Sequence, residues 1–419
     1  MTAAAAVTST GPSARLIRIL TYLMFMMFAM TTDSVGVIIP EVIREFELGL
    51  TAAGAFHYAS MAGIALAGIT LGFLADRLGR KASIVAGLLL FAGASLLFAF
   101  GDSFTFFVLL LFVSGAAIGV FKTAALALIG DISTSTRSHT STMNTVEGFF
   151  GVGAILGPAL VAWLLASGAS WTWLYVIAAG LALLLALTAL AVRYPPTVRT
   201  ETPATLRETV RMMRDPYAMA FSLGAMLYVG VETAIYVWMP TLLAGYDGPL
   251  ALVAAYAISI FFILRAAGRF LGGWLLGIFS WTTVLAVSSF VILICFAGSV
   301  IGGRDTAVWL LPLSGLFMSV IYPTLNSKGI SCFAKAQHGA VAGVILFFTC
   351  VSAVIAPLAM GAVSDAFGGP VYGFILATGL ALILFAALLY NAWKDPAAAR
   401  LARFDDSQYA VTAPEAPAS

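Results

Sequence analysis

Between residues 16 and 393 the chain returns repeatedly to apolar runs long enough to cross a lipid bilayer, with short polar intervals between them. A spanning helix needs about 20 predominantly apolar residues. Twelve such runs can be read, at 16–40, 51–75, 82–100, 104–130, 140–166, 171–192, 217–244, 250–275, 281–301, 307–330, 339–364 and 371–393. Only 10% of the residues are charged and the mean hydropathy is +1.02, where a soluble chain carries about 25% charged residues. Backbone in lipid must satisfy its own hydrogen bonds, and a helix does so within one segment. The expected fold class is therefore an all-α integral membrane protein with twelve transmembrane helices.

An even number of spans puts both termini on one side, and basic residues choose that side. Of the 21 lysines and arginines, only Arg44 and Arg304 fall on the odd-to-even joints; Lys122 and Arg265 lie within spans, and the rest gather on the side of the termini. Both termini are expected in the cytoplasm, and the protein as a multi-pass component of the plasma (inner) membrane. Residues 1–14 lack the basic-then-apolar order of a cleaved signal peptide. The tails, 1–15 and 394–419, are short and polar, so no soluble domain is expected. Cys295, Cys332 and Cys350 have neither disulfide-framework nor metal-ligand spacing, and no metal or cofactor is expected. A net charge of +2 gives no indication of a nucleic-acid partner.

The longest joint, 193–216, holds Pro195, Pro196, Pro203 and a string of arginines, with a short amphipathic helix expected over Leu206–Met213. It divides the spans into 16–192 and 217–393, and features recur across it at an offset near 200. Val113-Ser114-Gly115 answers Leu313-Ser314-Gly315. Ala154-Ile155-Leu156-Gly157-Pro158 answers Ala353-Val354-Ile355-Ala356-Pro357. Asp33 and Pro40 answer Glu232 and Pro240, and Gly68 and Gly72 answer Gly268 and Gly272. Two six-helix repeats of this kind are the architecture of secondary transporters.

The joint after the second run is the most densely charged. Gly72-Phe73-Leu74-Ala75-Asp76-Arg77-Leu78-Gly79-Arg80-Lys81 matches the signature between helices 2 and 3 of the major facilitator superfamily, which the chain resembles over essentially its whole length. The resemblance implies pseudo-symmetric six-helix halves working by alternating access, as a monomer in the bilayer. It further implies a cytoplasmic gate in which Asp76 and Arg80 form a charge network with Asp131, latching the outward-open state. Gly72, Arg77, Gly79 and Lys81 belong to the same motif.

Four further segments look like the fucose:proton symporters and their glucose-transporting relatives. They are Phe121-Lys122-Thr123-Ala124-Ala125, Val146-Glu147-Gly148-Phe149-Phe150-Gly151, Tyr228-Val229-Gly230-Val231-Glu232 and Tyr322-Pro323-Thr324. That likeness implies a sugar moved with protons, with Asp33 in the place of the family's helix 1 aspartate. The family's helix 4 glutamate is replaced by Lys122, which leaves room for a sugar acid. Gly153-x-x-x-Gly157-Pro158 is similar to a motif of drug:proton antiporters, without the glycine pair that follows it there; drug efflux is the alternative transport function.

An ionised side chain at mid-span costs about 2.5–3.5 kcal/mol on insertion scales, so such residues pair, neutralise or face water. Asp33, Lys122, Glu147, Glu232 and Arg265 are the five candidates. Lys122 shares a helical face with Gly115, Gly119 and Ala125, and Glu147 shares one with Asn144, Gly151 and Ala154. Lys122 is expected to pair with Asp33 or Glu147, leaving an acid free to carry a proton; the plainer alternative is a permanent lock. Asp33, Glu147 and Glu232 are the candidates for proton coupling, with Asp33 first.

Solute contacts are expected from Lys122, Glu147, Glu232 and Arg265, from Tyr228, Tyr236 and Trp238 in the seventh run, and from Tyr322 and Asn326 in the tenth. Each aromatic has simple packing as its alternative. Arg265 can meet an anionic solute or an acid. His57 and Tyr58 are further proton-shuttle candidates, and Arg269 suits an interfacial anchor. The expected function is secondary active transport of a small polar solute, a sugar or sugar-like molecule, coupled to protons. A transporter-like sensor is the reading from another class. No H-E-x-x-H, catalytic triad or paired-histidine site points to an enzyme.

Overall fold

The computed structural model describes residues 12–71, 78–132, 136–194, 211–333 and 337–409. Among them, twelve helices are long and apolar enough to cross a membrane, and there is no strand. Spans 1–6 are Arg15–Phe46, Leu50–Gly68, Arg80–Ala99, Phe104–Leu126, Thr145–Ala166 and Trp173–Ala191. Spans 7–12 are Pro216–Leu243, Ala257–Leu276, Trp281–Gly302, Arg304–Ser331, Val341–Phe367 and Pro370–Lys394. Most of the helix expected at 206–213 lies outside the described residues.

The twelve spans form two bundles. In the first, span 4 packs on spans 2 and 3, and span 5 packs on span 1; in the second, span 10 packs on spans 8 and 9, and span 11 on span 7. The same pairings recur six spans later, as the offset near 200 requires. Small residues set the close approaches, because membrane helices gain by packing rather than by water exclusion. A Cβ on Gly115 or Gly119 would collide with the backbone of span 2 at Ser60 or Ile64. Gly153 and Gly157 rest on the Met26 and Met30 carbonyls of span 1, and Gly268 rests on the Leu316 carbonyl of span 10. Gly68, by contrast, has nothing within 4 Å of a built Cβ, and its partner Gly72 lies outside the described residues.

Span 2 turns once near its start, at Gly54 between helices Leu50–Ala53 and Ala55–Leu71, and spans 1, 7 and 10 are interrupted farther from their ends. Span 1 turns at Asp33–Ser34, between helices Pro12–Thr32 and Val35–Phe46. Span 7 widens into a π-helical turn over Ala234–Trp238. Span 10 breaks at Ser319–Val320, between helices Arg304–Met318 and Ile321–Ser331. Irregular backbone at membrane depth is tolerated where protein buries it or where it lines a cavity. Spans 1 and 7 are repeat mates, and each departs from the α-helix within two residues of its acid, Asp33 or Glu232.

Prolines account for part of this pattern. Pro240 has no N–H for the Tyr236 carbonyl four residues back. That carbonyl instead meets Gly36 of span 1, so closely that a Cβ there would overlap it. Pro357 likewise frees the Ala353 carbonyl, which meets His57 Nε2 at 3.0 Å.

Two basic side chains hold the face that carries the termini. Gly79 turns the chain into span 3 at φ +91°, a conformation suited to glycine. Lys81 then donates to the carbonyls of Leu190 (2.7 Å) and Val192 (2.8 Å) at the end of span 6. In the other bundle, Arg400 on the terminal helix Ala398–Tyr409 pairs with Asp215 at 2.9 Å and donates to the Cys332 carbonyl at 3.0 Å. Its guanidinium also lies 4.5 Å from the Tyr217 ring centroid and 4.4 Å from that of Phe333. This helix lies in what composition alone presented as a polar tail.

Candidate functional site

Among the described residues, hydrogen bonds between the bundles gather toward the face opposite the termini. Tyr58 donates to the Pro357 carbonyl (3.1 Å), and Ser259 of span 8 donates to the Ile155 carbonyl of span 5 (3.0 Å). The Asp365 carboxylate of span 11 accepts the backbone N–H groups of Leu50 (2.7 Å) and Thr51 (2.8 Å), the first donors of span 2. The first N–H groups of a helix have no intrahelical acceptor, so a carboxylate there both completes and charge-stabilises them. Asp365→Ala is expected to weaken this seal by about 1 kcal/mol, a fivefold shift toward opening on that face. The rate of Cys350 alkylation by a membrane-impermeant maleimide added from that side measures it; Cys350 is the half-exposed cysteine, whereas Cys295 and Cys332 are buried.

Beneath the seal lies a cavity of about 250 Å³ lined from both bundles: Met61 and Ile64 of span 2; Val229, Glu232 and Tyr236 of span 7; Arg265, Tyr322, Thr349, Cys350 and Ala353 of spans 8, 10 and 11. Its central feature is an ion pair. Arg265 Nη2 stands 2.7 Å from Glu232 Oε1, with side-chain exposures of 22% and 8%. Tyr228, fully buried behind the pair, has its hydroxyl 2.8 Å from the same carboxylate oxygen. Asp33, at the turn of span 1, accepts a hydrogen bond from Thr32 at 2.9 Å. Arg265, Lys122 and Glu232 all lie within electrostatic range of Asp33.

The expected Lys122 pairing is corrected here. Among the described residues Lys122 forms no ion pair with Asp33 or Glu147; its ammonium sits over the Phe150 ring, 5.1 Å from the centroid. Glu147 is exposed. The cation that takes an acid is Arg265, and the acid is Glu232 of the adjoining span.

Of the expected solute-contact residues, Glu232, Tyr236, Arg265 and Tyr322 line the cavity, and Tyr228 backs it. Trp238 is buried and donates from Nε1 to the Pro357 carbonyl at 3.1 Å, a bond within the second bundle to the same carbonyl that Tyr58 reaches from the first. Asn326 and Lys122 are not among the lining residues. His57 is buried with Nε2 on the Ala353 carbonyl, a place dictated by Pro357. Of the expected gate, Gly72, Asp76 and Arg77 lie outside the described residues, as does the side chain of Asp131. Arg80 is buried and Lys81 caps span 6. Sequence reasoning missed the apolar lining residues Met61, Ile64 and Val229, and Thr349, Cys350 and Ala353 of span 11; for span 11 the small polar run Thr349-Cys350-Val351-Ser352 after Phe347-Phe348 is the available signal.

Residues 21–357 match the family profile of the Major Facilitator Superfamily, well over half of the chain. The chain belongs to the major facilitator superfamily. It is accordingly a secondary transporter and not an enzyme. A glucose/galactose transporter of Brucella abortus biovar 1 (strain 9-941) is 26% identical over 365 residues, covering 83% of this chain and 87% of that protein. The L-fucose-proton symporter of Escherichia coli (strain K12) is 25% identical over 390 residues, covering 82% and 86%. Among superfamily structures, the nucleoside transporter NupG superposes with a TM-score of 0.74 at 15% identity, covering 92% of this chain and all of that one (100%). This last likeness speaks for the fold alone.

Proposed function

We propose that this transporter moves a small sugar, or a sugar acid, together with protons across the plasma (inner) membrane, with both termini in the cytoplasm. The observation that carries the reading is the cavity between the bundles, with a buried Glu232–Arg265 pair on one wall and the second acid, Asp33, close by. Two acids facing one arginine leave a carboxyl that can take and release a proton as the arginine moves. Tyr236 and Tyr322 offer flat faces and hydroxyls to a sugar. The likeness to a glucose/galactose transporter and to an L-fucose-proton symporter supports the same class.

A volume of about 250 Å³ falls at or below the smallest clefts that enclose drug-sized ligands. The Gly153–Gly157 spacing is accounted for by the contact with span 1, so drug efflux gains no support from it. In this topology the sealed face is extracellular. The Gly72–Lys81 stretch and Asp131 then serve as the opposite, cytoplasmic latch, and the segment 193–216 links two rigid six-helix halves.

The test is solute-driven proton movement. Purified full-length protein in liposomes is expected to alkalinise the outer medium when glucose, galactose, fucose or a hexuronate is added outside. With one proton per solute, a gradient of one pH unit supports about tenfold accumulation, since a unit is worth 1.36 kcal/mol. Asp33→Asn should reduce the ratio of accumulation to counterflow exchange by that factor. An unchanged ratio removes Asp33 from coupling; no pH response to any of these solutes removes sugar–proton symport.

A further inference from the structure

The Tyr228 hydroxyl has more acceptors than hydrogens. Its oxygen lies 2.8 Å from Glu232 Oε1 and 3.0 Å from the carbonyl of Met318, the last residue of the helix before the break in span 10. A phenol has one hydrogen to give, and an ionised carboxylate and a carbonyl can only accept. Arg265 Nη2, 2.7 Å from the same Oε1, is the partner expected of an ionised Glu232. In that state the hydroxyl hydrogen belongs on the carboxylate, where the charge-assisted bond is about twice as strong as a neutral one. The Met318 carbonyl is then left facing a lone pair.

One added proton removes the conflict. With a hydrogen on Glu232 Oε1, the carboxyl donates to Tyr228 Oη, and the phenolic hydrogen turns to the Met318 carbonyl. Every acceptor is then supplied, and Arg265 loses its counter-charge. The proton comes from water in the cavity; no covalent bond other than its own O–H is made or broken.

We infer that Tyr228 is a positioning residue that reads the protonation of Glu232 and passes it to the break in span 10, freeing Arg265 toward Asp33. The inference rests on the proton-coupled reading of the site and specifies how that coupling reaches the backbone. The other titratable or charged groups that face Glu232 are Tyr236 on its own helix, Arg265 and Arg269 of span 8, Asp33 of span 1, Tyr322 of span 10 and Cys350 of span 11. None of these has been placed between Glu232 and a helix break; Tyr228 alone bonds to both the acid and the Met318 carbonyl among the described residues.

The test joins infrared spectroscopy to transport. In pH-difference spectra of the purified full chain, a protonated-carboxyl band that disappears in Glu232→Gln reports Glu232. In Tyr228→Phe this band should move to higher wavenumber, because the carboxyl O–H has lost its acceptor. The pH dependence of sugar counterflow, normalised to each variant's own maximum, should flatten by about tenfold, the worth of one hydrogen bond to a charged group. A band and pH profile unchanged from wild type would overturn the inference.

Should Tyr228→Phe fail to fold, Glu232→Gln decides. Its carboxamide donates to Tyr228 Oη without taking a proton, so its pH profile should be flat; a wild-type profile there is equally fatal. If wild-type liposomes show no proton movement with solute, the symport reading fails separately. The infrared titration still decides whether Tyr228 follows Glu232.

Discussion

Replacing Arg265 by methionine is expected to abolish transport and to cost about 3 kcal/mol of stability, the low end of the range for removing one partner of a buried ion pair. The low end applies because the guanidinium keeps 22% of its surface exposed in the cavity, where water offsets part of the loss. The larger share of the cost comes from Glu232, which is left at 8% exposure with a charge and only the Tyr228 hydroxyl beside it. Adding Glu232→Gln to Arg265→Met removes that stranded charge. The double variant should recover most of the lost stability while staying inactive. Thermal unfolding of the four proteins in detergent, analysed as a double-mutant cycle, measures the coupling directly. Additive losses would mean that the pair is not an energetic unit.

Gly36→Val should also abolish transport, for a different reason. Gly36 faces the Tyr236 carbonyl that Pro240 leaves without a helical donor, and any Cβ there would overlap the carbonyl oxygen. Neither partner is the movable end of a side chain, so the added atoms must push spans 1 and 7 apart. The variant is expected to fold and bind, but to remain open on the face that is sealed here. Cys350 would then react with an impermeant maleimide added from that side and resist it from the side of the termini. Gly180→Val is the control, since nothing lies within 4 Å of a Cβ at that position. Transport by Gly36→Val at the wild-type rate would show that spans 1 and 7 need not meet there.

The number of spans was legible in the sequence because the bilayer dictates a length that soluble helices need not obey. Repeat pairings were legible too, since proline, glycine and acid recur in register. Which charges meet was not. Two cations and three acids allow several pairings, and sequence spacing says nothing about which helix faces oppose one another across a bundle. Lys122 was matched to the wrong acids because its helix presents it to the Phe150 ring, while Arg265 reaches Glu232 from the next span. The apolar run at 140–166 places Glu147 within a span, and sequence spacing does not reveal that its side chain is exposed. The proline effects occupy a middle ground. That Ala353 and Tyr236 would have spare carbonyls follows from Pro357 and Pro240; that His57 and Gly36 would meet them does not.

Lys81 and Arg400 give the molecule a mechanical property that neither contact suggests alone. Lys81 ties the start of span 3 to the end of span 6, within the first bundle. Arg400 ties the terminal helix to the start of span 7 and the end of span 10, within the second. Each bundle is thus bolted to itself at the end where the two must separate, and neither bolt reaches across. The pivots are left to the interrupted backbones of spans 1, 7 and 10, which carry Asp33, Glu232 and the Met318 carbonyl.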